Sequence, residues 1–395
     1  MFLSDTHLPQ ILPPAAYVDD AWFKAECEGP LARSWHLVAT TADVPAVGDF
    51  VTLRLLGRPL LVSHTEAGPR VFLNVCAHRL AQLTSAPSGR MCRLKCQYHG
   101  WEFDADGSTR KIPDAPGFRP LERGQFGLSR LETATCGRLI FARFARTGPT
   151  LTEFLGAEKE CMEVAFAADS QPAASLETEV EANWKLVVEN NLESYHVGEV
   201  HARTLGPMPD EKDCRHELTK NQSVFEAPGD VPGVLGSLQR GLLAGLGFPV
   251  TRRYRHCLLL PNLTWSRVDG LSAILTFEPL SATRTRLTLR GFFPPRVSHA
   301  PLRGWLLRQM LKVQMAFWKR VWEEDLQLYP TIQAGLASPD LPGTGLLSRR
   351  EERVHHFQVW LRNRTGPVGS PPTAASEGIA HEAGTTPELM AEPAR

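Results

Sequence analysis

Cys76-Ala77-His78 and Cys96-Gln97-Tyr98-His99, separated by residues 79–95, each offer one thiolate and one imidazole. Two loops of this composition can clamp a [2Fe-2S] cluster in which two cysteines hold one iron and two histidines the other. Neutral imidazoles in place of thiolates raise the reduction potential of such a centre. A structural zinc ion accepts the same four side chains, but zinc fingers usually group like with like, as C-x-x-C and H-x₃₋₅-H. Here each loop is mixed, which favours Cys76, His78, Cys96 and His99 as cluster ligands. Cys92 lies close to Cys96 but lacks a histidine at the right spacing, and is read as core or as lying behind the ligands.

A second constellation follows in Asn183-Trp184-Lys185, Glu189-Asn190, Glu193-Ser194-Tyr195-His196 and His201. Two histidines and a carboxylate with open positions suit a mononuclear Fe(II) site, because the open face admits O₂ and substrate. On a continuous helix His201 would lie about 140° round from His196, so the spacing predicts that Gly198 lets the helix end or bend. An isolated histidine pair is more often one core and one surface residue. The upstream motif alters that balance, because electrons delivered by one centre need a destination. The carboxylate must come from elsewhere in the chain. Asp325 is the candidate, since Trp318, Trp322, Asp325 and Tyr329 share one helix face and an unpaired acid on an aromatic face is costly. A capped or paired buried aspartate is the alternative, and Glu323 and Glu324 are expected to meet solvent.

The elements that must position these groups can be read more coarsely. Residues 48–63 alternate around Gly57-Arg58-Pro59 as a β-hairpin. Short strands are expected near 70–75, 101–103 and 137–144, with Asp106-Gly107 as a turn. Helical periodicity covers 151–167 and 183–197. Three further strands, 257–265, 271–278 and 285–293, suggest an antiparallel sheet, followed by a long helix over about 302–328. Strands followed by helix indicate an α+β fold. Residues 354–360 are left open between a strand and a short helix. Equal numbers of basic and acidic residues, 43 each in 395, give no field for nucleic acid, and no nucleic-acid partner is expected. No apolar run reaches the roughly 18 residues of a membrane helix, and the first residues lack a signal-peptide pattern. A soluble cytoplasmic protein is expected, with Cys27, Cys136, Cys161, Cys214 and Cys257 as buried thiols.

With both constellations in view, the chain resembles the oxygenase component of the Rieske non-haem iron oxygenases over about residues 30–362. The resemblance rests on Cys76-Ala77-His78-Arg79, Cys96-Gln97-Tyr98-His99-Gly100-Trp101 and Gly107, then on Asn183-Trp184-Lys185, Glu193 to His196, His201 and Asp325. Glu193 and Val354-His355-His356-Phe357-Gln358 look most like the branch acting on quaternary ammonium compounds such as carnitine and glycine betaine. The resemblance implies an all-β Rieske domain (40–148) inserted in a catalytic domain with a curved antiparallel sheet covered by helices. Residues 1–39 would be a helical segment of that catalytic domain, 149–364 its body and 365–395 a disordered tail. It further implies a [2Fe-2S] cluster, a mononuclear Fe(II) held by His196, His201 and Asp325, and a homotrimer. In the trimer, the acid at position 193 would link a cluster histidine of one subunit to an iron histidine of the next. The family's ring dioxygenases usually have Asp at the position of Glu193. Gln97 and Leu80 stand where the family often has Pro and Gly.

The activity implied is hydroxylation of a carbon beside nitrogen, with N-dealkylation when the carbinolamine collapses. The chain has no dinucleotide fingerprint, so an NAD(P)H-dependent flavin or iron-sulfur reductase is expected as partner, with O₂ and a small organic substrate. Trp265 could hold a cationic substrate by cation–π contact. Aromatic-ring dihydroxylation by the same metals is a second reading. A third is an electron carrier whose second half merely binds a partner.

Overall fold

The computed structural model describes residues 2–91, 93–121, 125–229, 233–245, 250–268, 271–293, 301–341 and 345–366. Cys92 and, beyond Gly366, the expected tail lie outside them. The chain opens with β1 (Leu8–Pro9), α1 (Asp20–Glu28) and β2 (His36–Thr40). The N-terminal segment read as helical therefore also supplies two strands. Strand β2 runs to Thr40 and pairs with a strand a hundred residues later. The next strands are β3 (Asp49–Leu55), β4 (Arg58–Thr65), β5 (Gly68–Leu73), β6 (Ser88–Arg90), β7 (Leu94–Lys95), β8 (Glu102–Phe103), β9 (Thr109–Lys111), β10 (Glu132–Cys136) and β11 (Leu139–Arg143). They form three antiparallel sheets in the orders β5-β4-β3-β6, β7-β8-β9 and β10-β11-β2. The hairpin β3–β4 turns on Leu56 and Gly57, both at positive φ (49° and 75°), with Leu55 paired to Arg58. A two-residue turn of this hand matches strand twist, so Arg58 and Pro59 belong to the strand and not to the turn.

The second half comprises α2 (Leu151–Leu155), α3 (Lys159–Ala165), β12 (Gln171–Val180), α4 (Trp184–Leu192), α5 (Val197–Val200), β13 (Arg215–Leu218), β14 (Gln222–Pro228), α6 (Gly233–Gly245), β15 (Arg253–Leu259), β16 (Leu263–Val268), β17 (Leu271–Ser281), β18 (Arg284–Phe293), α7 (Pro301–Leu336), β19 (Leu346–Leu347) and α8 (Glu352–Thr365). Seven strands make one antiparallel sheet, β12-β18-β17-β16-β15-β14-β13, against which α4, α7 and α8 pack. The single strand expected over 257–265 is two. Pro261 cannot donate to a ladder, and Leu260-Pro261-Asn262 turns the chain, with Asn262 Nδ2 donating to Phe277 O at 2.8 Å. The long helix extends past Leu328 through Pro330 to Leu336, and 354–360 is helix. No helix among the described residues is long and apolar enough to cross a membrane.

Buried polar ties fix α4, which carries much of the second site. Asn183 caps it, its side chain accepting from Lys185 N at 3.0 Å, as N-cap residues do. Lys185 Nζ, fully buried, lies 2.8 Å from Glu26 Oε1 of α1, and Trp184 Nε1 donates to Glu26 Oε2 at 2.9 Å. Glu189 accepts from Tyr17 Oη at 2.7 Å and Gln358 Nε2 at 3.0 Å, and burial raises its pKa to about 7. The N-terminal segment is thus bolted to the second half of the chain. Cys136, Cys214 and Cys257 are buried thiols, whereas Cys27 and Cys161 are only half-buried.

His36 on β2 is buried, with Nε2–H donating to Leu31 O at 2.7 Å, and burial pulls its pKa down to about 4. The neutral ring's contribution to stability is complete above pH 6.5, the unfolded value, and is lost as pH falls toward 4. Unfolding free energy should therefore drop by about 2 kcal/mol from this group alone between pH 7 and 5. Urea titrations at the two pH values should show a smaller drop in His36→Gln. Equal drops would assign the acid sensitivity elsewhere.

Candidate metal and substrate sites

The two Cys/His loops have the same backbone design. Leu80 N donates to Cys76 O at 3.1 Å and Gly100 N to Cys96 O at 3.0 Å, with Leu80 and Gly100 both at positive φ (59° and 72°). Each loop therefore doubles back four residues after its cysteine. Leu80 adopts a conformation that favours glycine, and its side chain stands out into solvent. Cys76 and Cys96 are buried and in side-chain contact, and burial raises the Cys76 thiol to about 11. His99 is exposed and His78 half-buried; their ring centroids lie 4.7 Å apart, and His78 stacks on Trp101 at 5.0 Å. Two thiols inside and two imidazoles at the rim converge, the donor set of a cluster with a buried Cys-held iron and an outer His-held iron.

The second site begins where α4 stops. Glu193 is extended (φ −124°, ψ 168°), so the helix ends there and not at Gly198, which sits inside α5. His196 and His201 occupy the two ends of α5. A Cβ at Gly198 would meet nothing closer than Met208 N at 3.7 Å, so glycine is not sterically required. The imidazoles meet along the axis instead, about 7.5 Å of helical rise apart at the backbone and 5.2 Å apart at the ring centroids. Asp325 comes from α7. Its Oδ1 lies 3.2 Å from His201 Nε2 and 3.6 Å from His196 Nε2, and accepts from Asn190 Nδ2 at 3.0 Å. One ligand atom from each of the three lies within 4.8 Å of the others.

Each ring is oriented from behind. His196 Nδ1 is hydrogen-bonded to Glu193 Oε1, and Glu193 Oε2 accepts from the backbone N of Tyr195 and of His196. His201 Nδ1 is 2.7 Å from Glu324 Oε2, which also accepts from Thr204 Oγ1 at 2.6 Å. Glu324 is therefore not a solvent residue. One ring spans the helix surface, with Nε2 meeting Asp325 and Nδ1 meeting the preceding residue, a contact that facing angles on α7 alone do not reveal. Burial disfavours the charged ring of His201, but Asp325 and Glu324 outweigh it and raise its pKa. Carboxylates on Nδ1 fix the tautomer that leaves Nε2 free for a metal, and two such nitrogens facing one carboxylate oxygen fit a divalent iron. Glu324→Ala should weaken iron binding by roughly 10- to 100-fold, measured by competition with a chelator. Unchanged affinity would leave Glu324 a mere surface contact.

Asp325 also borders a cavity of about 180 Å³ between the sheet, α4 and α7. Its floor follows from the register. His256 pairs with Ser266, Ser266 with Ala273 and Ala273 with Gly291, a row of small side chains across β16, β17 and β18 that leaves the sheet hollow. Trp318, Trp322 and Tyr329 of α7 and Phe277 of β17 supply aromatic walls, and Tyr254, Asn191, Thr264 and Ser266 polar ones. Trp265 does not contribute. It points to the opposite face of β16 and packs in the core against Phe166 at 6.3 Å.

A model of the Rieske [2Fe-2S] domain matches residues 34–123, and one of the ring hydroxylating alpha subunit (catalytic domain) matches residues 167–366. The latter spans half of the chain, and the chain belongs to that family. Its cofactors are accordingly a [2Fe-2S] cluster and a mononuclear iron. Among relatives, the glycine betaine monooxygenase oxygenase subunit of Pseudomonas aeruginosa is 31% identical over 195 residues, 49% of this chain and 45% of that protein. The match thus spans less than half the relative's length. The chloroplastic choline monooxygenase of Spinacia oleracea is 25% identical over 366 residues, 91% of this chain and 78% of that one. The quaternary ammonium Rieske monooxygenase CntA, solved with L-carnitine, superposes with a TM-score of 0.70 at 20% identity, covering 88% of this chain and 93% of its own. At that identity the superposition establishes the shared fold.

Proposed function

We propose that this chain is the oxygenase component of a Rieske-type monooxygenase that hydroxylates a carbon beside nitrogen in a quaternary ammonium compound, with dealkylation following. The observation that carries the reading is Asp325, which converges with His196 and His201 and at the same time borders the cavity. In this reading Cys76, His78, Cys96 and His99 hold the cluster, and His196, His201 and Asp325 hold Fe(II). When bound, the cluster supplies electrons and the ferrous ion activates O₂. Glu193 and Glu324 hold Nδ1 of each imidazole as the hydrogen-bonded nitrogen and keep each ring turned so that Nε2 faces the metal. Trp318, Trp322, Phe277 and Tyr329 exclude water and offer ring faces to a cation. An NAD(P)H-dependent flavin or iron-sulfur reductase supplies the electrons. The working unit is a homotrimer in the cytoplasm, with Glu193 of one subunit linking its iron site to a neighbour's cluster.

The test is product analysis with reconstituted enzyme, reductant and trimethylammonium substrates. Formaldehyde and the demethylated amine, formed in equal amounts and only with O₂, are expected. A cis-diol from an aromatic substrate, with no turnover of ammonium compounds, would replace this reading with ring dihydroxylation.

A further inference from the structure

Arg353 of α8 is 1% exposed and has no carboxylate partner among the described residues. Its guanidinium donates to Ser223 Oγ (2.7 Å), Ser223 O (3.0 Å), Leu192 O (3.1 Å) and His256 Nδ1 (2.9 Å). All four acceptors are neutral. Burial pulls its pKa down to about 10, so it is a cation at neutral pH. Burying a charge with no opposite charge is costly, and the α4 carbonyl at Leu192 supplies only the partial negative end of a helix.

The charge is passed toward the cavity. Guanidinium can only donate, so His256 Nδ1 accepts, the ring is neutral, and Nε2–H donates to Asn191 Oδ1 at 2.8 Å. That bond fixes the amide, and Asn191 Nδ2, without a partner among the described residues, is the remaining donor of a residue that borders the cavity. The chain Arg353, His256, Asn191 is a row of aligned dipoles with a full positive charge at its base, and each bond polarises the next. Ser266, paired with His256 across the strands, and Thr264 place hydroxyls on the same wall. The facing helix α7 contributes the aromatic rings and Asp325. The cavity therefore has a polar wall backed by a buried cation opposite an aromatic and acidic one.

We infer that Asn191, set by His256 and backed by the buried guanidinium of Arg353, holds a carboxylate of the substrate, so that the compound oxidised is a zwitterion and not an amino alcohol. This rests on the reading of the cavity as the substrate site. Asn191 is a specificity-determining residue, and His256 and Arg353 position it.

Four probes separate this inference from the ammonium assignment. They are 4-(trimethylammonio)butanoate, its methyl ester, the carbon isostere 5,5-dimethylhexanoate and the methyl ester of that acid. Calorimetric titration of each into anaerobic, iron-loaded holoenzyme should show both acids binding roughly 10- to 100-fold tighter than their esters, the range for a hydrogen bond to a charged group. Asn191→Asp keeps the acceptor for His256 and reverses the charge offered to the ligand. It should erase the acid preference in both the nitrogen and the carbon pair, with the cluster absorbance unchanged as proof of folding. Acids and esters binding alike, a preference that survives Asn191→Asp, or no saturable binding of any probe would each overturn the inference. Comparison of nitrogen with carbon probes reads the ammonium assignment separately. Equal affinities there, with the acid preference intact, would remove the ammonium and keep the carboxylate site.

Discussion

Replacing Asp325 with Ala is expected to reduce substrate-dependent O₂ consumption more than roughly 100-fold, beyond what loss of an outer hydrogen-bond partner of a metal site causes. Among the described residues, Oδ1 of Asp325 is the only carboxylate oxygen shared by His196 Nε2 and His201 Nε2, so its loss leaves two imidazoles and an open gap where three groups converged. The cluster loops lie elsewhere in the chain and should keep their absorbance and reducibility. Iron content should fall to that of the cluster alone. Full turnover by the variant, or wild-type protein holding no iron beyond the cluster, would end the oxygenase reading and leave an electron carrier.

Glu193→Gln is expected to leave both centres filled at saturating iron yet slow the transfer between them by roughly 10- to 100-fold. The carboxylate serves two clients at once, His196 Nδ1 through Oε1 and the amides of Tyr195 and His196 through Oε2. A glutamine amide has one acceptor and turns a donor toward one of these donors, so one of the two contacts is lost. The ring then loses both its fixed orientation and the negative charge behind it. Stopped-flow reoxidation of the reduced cluster with substrate and O₂ reads this step directly, and Glu193→Asp, which retains charge with a shorter reach, should fall between. Wild-type reoxidation in iron-replete Glu193→Gln would place the link on another residue.

Legibility differed between the parts of the molecule for physical reasons. The cluster loops were visible because ligand type and spacing are local properties, and the structure pairs Cys76 with Cys96 and His78 with His99. His196 and His201 were visible for the same reason, although the turn that joins them lies after Glu193's break and not at Gly198. Asp325 followed from an acid on an aromatic helix face. Glu324 did not, since its partner reaches it across a ring whose placement depends on the tertiary fold. Trp265 misled because strand alternation gives a parity but not which parity faces the cavity. Strand β12 was missed because its polar positions include Glu177 and Glu179, whose partners Arg284 and Arg286 lie a hundred residues away on β18. The Arg353 to Asn191 series joins three distant segments and leaves no mark in any one of them.

The ties between the first 28 residues and the far end of the chain bear on how the polypeptide is made. Glu26 meets Lys185, Ile11 N donates to Gln358 Oε1 at 2.7 Å, and Glu352 accepts from the amides of Leu3 and Ser4. A ribosome releases those early residues long before their partners exist, so they must wait, hydrated, while the cluster domain is translated and can close between them. The iron-binding half is consequently not a contiguous stretch of gene. A fragment starting after the cluster domain would strip Lys185 of its partner Glu26 and of the N-terminal surface that covers it, and any dissection of this chain into exchangeable modules has to carry both ends together.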